Sequence, residues 1–82
     1  MHSDSIITHL SKWVLSINHR NGGNLERLDL ALPLMDSSLL LDSLDLAEIM
    51  VAVEQKYGIS PFESATPPKT WQDLAGICQR AI

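Results

Sequence analysis

Three stretches of helical periodicity, one polar break rich in Asn and Gly, and a single candidate strand with no partner predict an all-α fold. The architecture expected is a small antiparallel helical bundle, three main helices plus one short helix, with a long loop between the first and second helices. Eighty-two residues, 45% of them hydrophobic, suit one domain spanning 1–82. A chain of that size buries about 60 to 65% of its unfolded surface, enough for a modest core without metals or disulfides.

The first helix is read from Ile6 to about Ile17, because Ile6, Ile7, Leu10, Trp13, Val14 and Ile17 recur at intervals of three and four. Polar residues 1–5 ahead of it offer several caps. Its other face, with Thr8, His9, Ser11, Lys12 and Leu15, has no chemical theme, and His9 is read as a solvated helix residue. Asn18-His19-Arg20-Asn21-Gly22-Gly23-Asn24 concentrates turn formers. The helix is expected to end there, since each glycine costs about 1 kcal/mol relative to alanine in a helix. A phosphate-cradling role for the glycine pair is set aside: no Gly-x-Gly-x-x-Gly or Gly-Lys-Ser/Thr pattern follows, and no strand precedes it.

Leu25 to Leu41 forms the long connection, rich in leucine and broken by Pro33 and by Asp36-Ser37-Ser38. Loops of this length are uncommon in small domains and are functional or packed by their own side chains. Leu28, Leu30, Leu32 and Leu34 alternate as a strand does, yet the chain offers no second strand to bond with. The expectation is a loop buried along one edge, with a helical turn near Leu25 to Leu28.

The second helix carries the clearest two-faced pattern. Leu46, Ile49, Met50, Val53 and Tyr57 share one narrow face, as a core-facing surface requires. Leu44, Glu48, Val51 and Gln55 line the opposite side, so apolar residues stand beside carboxylate and amide on a face that should meet water. Single exposed apolar residues are ordinary, and the pair has meaning only with its surroundings. Asp42-Ser43 marks the start of the helix and Gly58 its end. Amides at a helix start, with the positive end of the helix dipole, also favour a phosphate on Ser43, although Asp-Ser taken alone is a cap.

Ser60-Pro61-Phe62-Glu63-Ser64-Ala65 is read as one short helical turn, capped by Ser60 and stopped by Thr66-Pro67-Pro68. Thr70-Trp71-Gln72-Asp73 then repeats a capping box, and Trp71, Leu74, Ala75, Cys78 and Ile82 form the apolar face of the last helix. Trp13 and Trp71 are read as core or seam residues.

Charge and composition narrow the function. A net charge of −4 argues against nucleic acid, whose binding draws on clustered Lys and Arg. No apolar run approaches the roughly 18 residues of a membrane span, and no export signal is evident, so a cytoplasmic protein is expected. The single cysteine, Cys78, is read as core filling and fits a reducing compartment. A hydrolase with Ser43 as nucleophile and His2, His9 or His19 as base is disfavoured, because no Gly-x-Ser-x-Gly elbow is present. Asp36, Asp42 and Asp45 do not form an EF-hand loop, since Leu40 and Leu41 stand where ligands and glycine belong.

Asp42-Ser43-Leu44, followed by Asp45, Glu48, Glu54, Tyr57 and Gly58-Ile59, resembles the acyl carrier protein family. The likeness is specific over residues 39–60 and looser elsewhere, although the order of elements fits all 82 residues and Asp36-Ser37-Ser38-Leu39 fits the family's first loop loosely. The resemblance implies a monomeric carrier, not an enzyme, with a 4′-phosphopantetheine arm on Ser43 and Asp42 assisting metal-dependent transfer of the arm from coenzyme A. By the same resemblance a phosphopantetheinyl transferase and acyl-transferring or ketosynthase-type enzymes are the partners. They would dock on Leu44, Asp45, Glu48, Val51 and Glu54, while Ile49, Met50, Val53, Tyr57, Ile59 and Phe62 shelter the acyl chain. The family's fatty-acid carriers are more acidic and continue with glutamates where this chain has Gln55 and Lys56, so a specialised lipid or polyketide pathway is as consistent as fatty-acid synthesis. Leu39-Leu40-Leu41-Asp42-Ser43 also echoes peptidyl and D-alanyl carriers. An unmodified helical interaction module, docking through its outer face, is the reading from a different class.

Overall fold

Apolar spacing on three segments draws the chain around one core in the computed structural model, which describes residues 2–63 and 66–81. Its helices are α1 (His2–Arg20), α2 (Ser43–Tyr57) and α3 (Trp71–Ala81), with 3₁₀ turns at Ser37–Leu39 and Pro61–Glu63. Among the described residues there is no strand, only an isolated antiparallel bridge between Pro33 and Thr70. Ile6, Leu10, Val14 and Ile17 from α1 meet Ile49, Met50 and Val53 from α2 and Trp71, Leu74, Ala75 and Cys78 from α3. Leu28, Leu34 and Leu39 of the loop complete this core. Leu46 and Tyr57, also on the predicted inner face of α2, are half-buried against it. Ser64, Ala65 and Ile82, to which the short turn and the last helix were expected to extend, lie outside the described residues, as does Met1.

α1 is longer than its apolar spacing predicts. It is already helical at His2, so residues expected as caps lie within it, and its last turn enters the expected break before ending there at Arg20. The reason is Asn18, whose side chain is buried and does the work of a core residue. Its Nδ2 donates to Leu39 O at 2.8 Å, and its Oδ1 accepts from Leu25 N at 3.2 Å. One amide thereby ties both ends of the long loop to α1. Gly23 lies so close to that side chain that a Cβ there would overlap it.

The loop departs from expectation in two places. No helical turn forms near Leu25 to Leu28; the turn comes at Ser37–Leu39, where Asp36 caps it by accepting from Ser38 N at 3.1 Å. The leucines that alternate like a strand run beside the start of α3. Leu32 O accepts from Trp71 N at 3.3 Å, Leu30 O from Gln72 N at 2.9 Å, and Leu34 N donates to Lys69 O at 3.1 Å. The loop therefore bonds with a helix terminus, whose first amides have no partners within the helix.

Candidate functional site at the start of α2

Asp42 is the cap of α2, with extended backbone. Its Oδ1 accepts from Asp45 N at 2.8 Å while its own amide donates to Asp45 Oδ2 at 3.2 Å, a reciprocal capping box. This fixes Ser43 as the first helical residue, and Ser43 is exposed. Among the described residues no protein acceptor takes the amides of Ser43 and Leu44. The helix end is closed by Gly58 in the left-handed region, φ 70°, its amide donating to Glu54 O at 2.8 Å.

The capping box is anchored to α1. Arg20 Nη2 donates to Asp45 Oδ1 at 2.9 Å and stands 3.6 Å from Glu48 Oε1, and Asn21 Nδ2 donates to Asp45 Oδ2 at 2.9 Å. Asp45 was expected on the docking face; instead it is buried, because three donors, from Arg20, Asn21 and the Asp42 amide, converge on its two oxygens. Bonds from Asn21 and the Asp42 amide, with the Arg20 guanidinium beside them, hold its carboxyl below the usual aspartate value. Asn21 Nδ2 also donates to Leu40 O at 2.7 Å, and Leu40 N donates to Ser37 O at 3.3 Å. These bonds hold Leu40 left-handed at φ 60°, a conformation that costs a residue other than glycine about 1 to 2 kcal/mol.

Ser43 opens onto a groove of about 360 Å³ walled by Leu46, Ala47, Met50 and Val51 of α2 and by Phe62 of the second 3₁₀ turn, with Glu54 also lining it. Leu44 is 78% exposed, Val51 51% and Phe62 47%. Larger hollows, of about 520 and 650 Å³, lie along α3 and beside the loop and do not include Ser43. Met50 and Phe62 are thus brought together as the expected shelter requires, but its other members are not. Ile49 and Val53 are buried in the core, and Ile49 reaches only a cleft of about 230 Å³ shared with Trp13 and Ile17 of α1. Ile59 is half-buried against the core. Tyr57 is held on α1 by His9, whose Nδ1 lies 3.1 Å from the Tyr57 hydroxyl. His9 is consequently half-buried and stacked on Trp13, with ring centroids 6.0 Å apart, and is no solvated residue.

Sequence reasoning assigned Leu46 to the core face and passed over Ala47. Their spacing, three and four residues beyond Ser43, places both on the face below the serine and was the available signal. Nothing local marks Arg20 and Asn21, which lie more than twenty residues from the carboxylate they bind. Comparison of the chain with family models, with curated proteins and with solved structures finds no match.

Among the described side chains, neither His9 nor His19 is free to serve as a base for the hydroxyl at the groove. His9 is engaged with Tyr57, and His19 Nε2 lies 2.6 Å from Leu25 O. Burial pushes the Cys78 thiol up to about 11, so it fills the core as a neutral group. What the arrangement offers is an accessible hydroxyl, open amides next to it, and an apolar wall in the adjoining groove. No helix among the described residues is long and apolar enough to cross a membrane.

Proposed function

We propose that the protein is a carrier that holds acyl groups as thioesters on a 4′-phosphopantetheine arm attached to Ser43. The observation that carries this reading is the exposed Ser43 hydroxyl at the first position of α2, standing at the mouth of an apolar groove. The residues fit the group. The amides of Ser43 and Leu44, at the positive end of the helix dipole, suit a phosphodiester, while Asp42 has taken only the Asp45 amide. When bound, the arm supplies a thiol at the end of a flexible link.

In the attachment reaction Ser43 Oγ forms the new bond to phosphorus, the pyrophosphate bridge of coenzyme A breaks, and adenosine bisphosphate leaves. The Oγ proton passes to a base of the transferase, which accounts for a serine with no base of its own. Leu44, Glu48 and Val51 provide the docking face for that enzyme and for acyl-transferring and ketosynthase-type partners. A short flexible link presents cargo at an effective concentration near the millimolar range, so weak docking suffices. Met50, Phe62 and the walls at Leu46 and Ala47 shelter the acyl chain. The pairings of Arg20 with Asp45 and of His9 with Tyr57, at opposite ends of α2, support an antiparallel course for α1 and α2. The cytoplasm, where coenzyme A is available, is the compartment proposed.

Incubation with coenzyme A and a broad-specificity phosphopantetheinyl transferase, followed by intact mass measurement, tests the reading. The expected result is the gain of one phosphopantetheine by the native chain and none by Ser43→Ala. No gain by the native chain, or equal gain by the variant, removes the carrier and leaves the interaction module.

A further inference from the structure

Leu40 combines two unfavourable features in one residue. Its backbone is left-handed at φ 60°, and its apolar side chain is 46% exposed. It is not among the side chains that pack against the core, although its neighbours Leu39 and Leu41 are. The bonds that impose the conformation, Leu40 N to Ser37 O and Asn21 Nδ2 to Leu40 O, use only Leu40's backbone. Glycine or asparagine would keep both bonds with less strain and without exposing an apolar surface to water. Neither packing nor turn geometry accounts for a leucine here, and an outlier of this kind next to a candidate site points to a role for the side chain.

We infer that Leu40 is a contact for the enzyme that attaches the arm to Ser43, an inference resting on the carrier reading above. Leu40 and Leu44 are exposed on either side of the hydroxyl in the chain, and Asp42 between them is an exposed carboxylate. The Arg20 guanidinium is engaged by Asp45 and Glu48, so the surface around the serine is apolar and negative. The complementary partner is apolar opposite the two leucines and basic opposite Asp42. An enzyme that delivers coenzyme A, a polyanion, to this serine must carry cations at that place, which selects the transferase over a neutral partner. The strain at Leu40 is then retained because the side chain that incurs it is read by that enzyme.

The test compares Leu40→Gly, Leu40→Asn and Leu40→Met by thermal unfolding and by the kcat/KM of arm attachment, with coenzyme A and a broad-specificity transferase as the probe. Gly and Asn are expected to raise Tm by a few degrees, since relief of strain outweighs the flexibility added to the unfolded chain. Both are expected to lower kcat/KM roughly tenfold, mainly through KM, the scale of one partly buried leucine contact. Met keeps the apolar contact and the strain, and should match the native chain within about twofold in kcat/KM. A merely structural role predicts that attachment follows stability. Attachment by Gly and Asn at the native rate, or a fall in Tm with either, overturns the inference while leaving the carrier intact. Failure of the native chain to accept the arm removes both.

Discussion

α2 and α3 begin with the same local device and put it to opposite uses. Each has a reciprocal capping box: Asp42 with Asp45 in α2, and Thr70 Oγ1 accepting from Asp73 N at 3.1 Å while Asp73 accepts from Thr70 N at 3.2 Å in α3. The first helical residue after one cap is Ser43, exposed; after the other it is Trp71, fully buried. The difference comes from what lies beside each cap. The α2 cap is held from below by Arg20 and Asn21 of α1, which leaves its outer side open, whereas the α3 cap has the leucine loop laid across it. A capping box sets where a helix starts; neighbours set whether that start is buried or left open to solvent.

The largest effect should follow from Trp71→Ala, which empties the most voluminous fully buried side chain. A loss of about 3 to 5 kcal/mol in denaturant-induced unfolding is expected. Ser43→Ala, at the corresponding position of α2, should leave the unfolding midpoint nearly unchanged. Equal losses at the two positions would erase the contrast.

A second contrast concerns acid. Hydrogen bonds depress the carboxyls of both Asp45 and Asp73 in the folded state. A depressed folded value means the unfolded chain binds the proton more tightly, so the stabilisation is full above the unfolded value of about 3.9 and disappears as pH falls through the folded one. Asp45→Asn should flatten that part of the acid limb of a pH-stability curve and also lower stability at neutral pH, since Arg20 loses its nearest carboxylate. Asp73→Asn should flatten the limb without disturbing α1. If the two variants shift α1 amide resonances alike, the anchoring of the α2 cap on α1 does not set the two apart.

The smallest effect on stability belongs to Leu44→Ser combined with Val51→Ser, whose wild-type side chains face water. Unfolding free energy should stay within about 0.5 kcal/mol of native, while turnover by enzymes acting on the loaded arm falls. Unchanged turnover would remove α2's outer face as a docking surface.

Much of this was legible along the chain, because its signals act over four residues or fewer. The cap at Asp42-Ser43, the capping box of α3, the glycine that ends α2, the apolar faces of the helices and the proline-started turn follow from spacing that one helical turn can read. Leu44 and Val51 were legible as outward-facing for the same reason. The resemblance that singles out Ser43 is also read along the chain, over residues 39–60, and the carrier function is a proposal resting on the exposed hydroxyl and its groove.

Only the tertiary structure decided the rest. Asn18 reads as a turn former and becomes a buried clamp on Leu39 and Leu25; His9 reads as solvated and holds Tyr57; Asp45 reads as a surface carboxylate and joins α2 to α1. In each case a polar side chain meets a partner brought close by folding, and its burial is tolerable only because that partner supplies the hydrogen bond. Spacing along a chain encodes which face of a helix is apolar. It does not encode which distant donor a buried oxygen will find, and so the starts of α2 and α3 could be read in the sequence while the placement of Ser43 beside its groove could not.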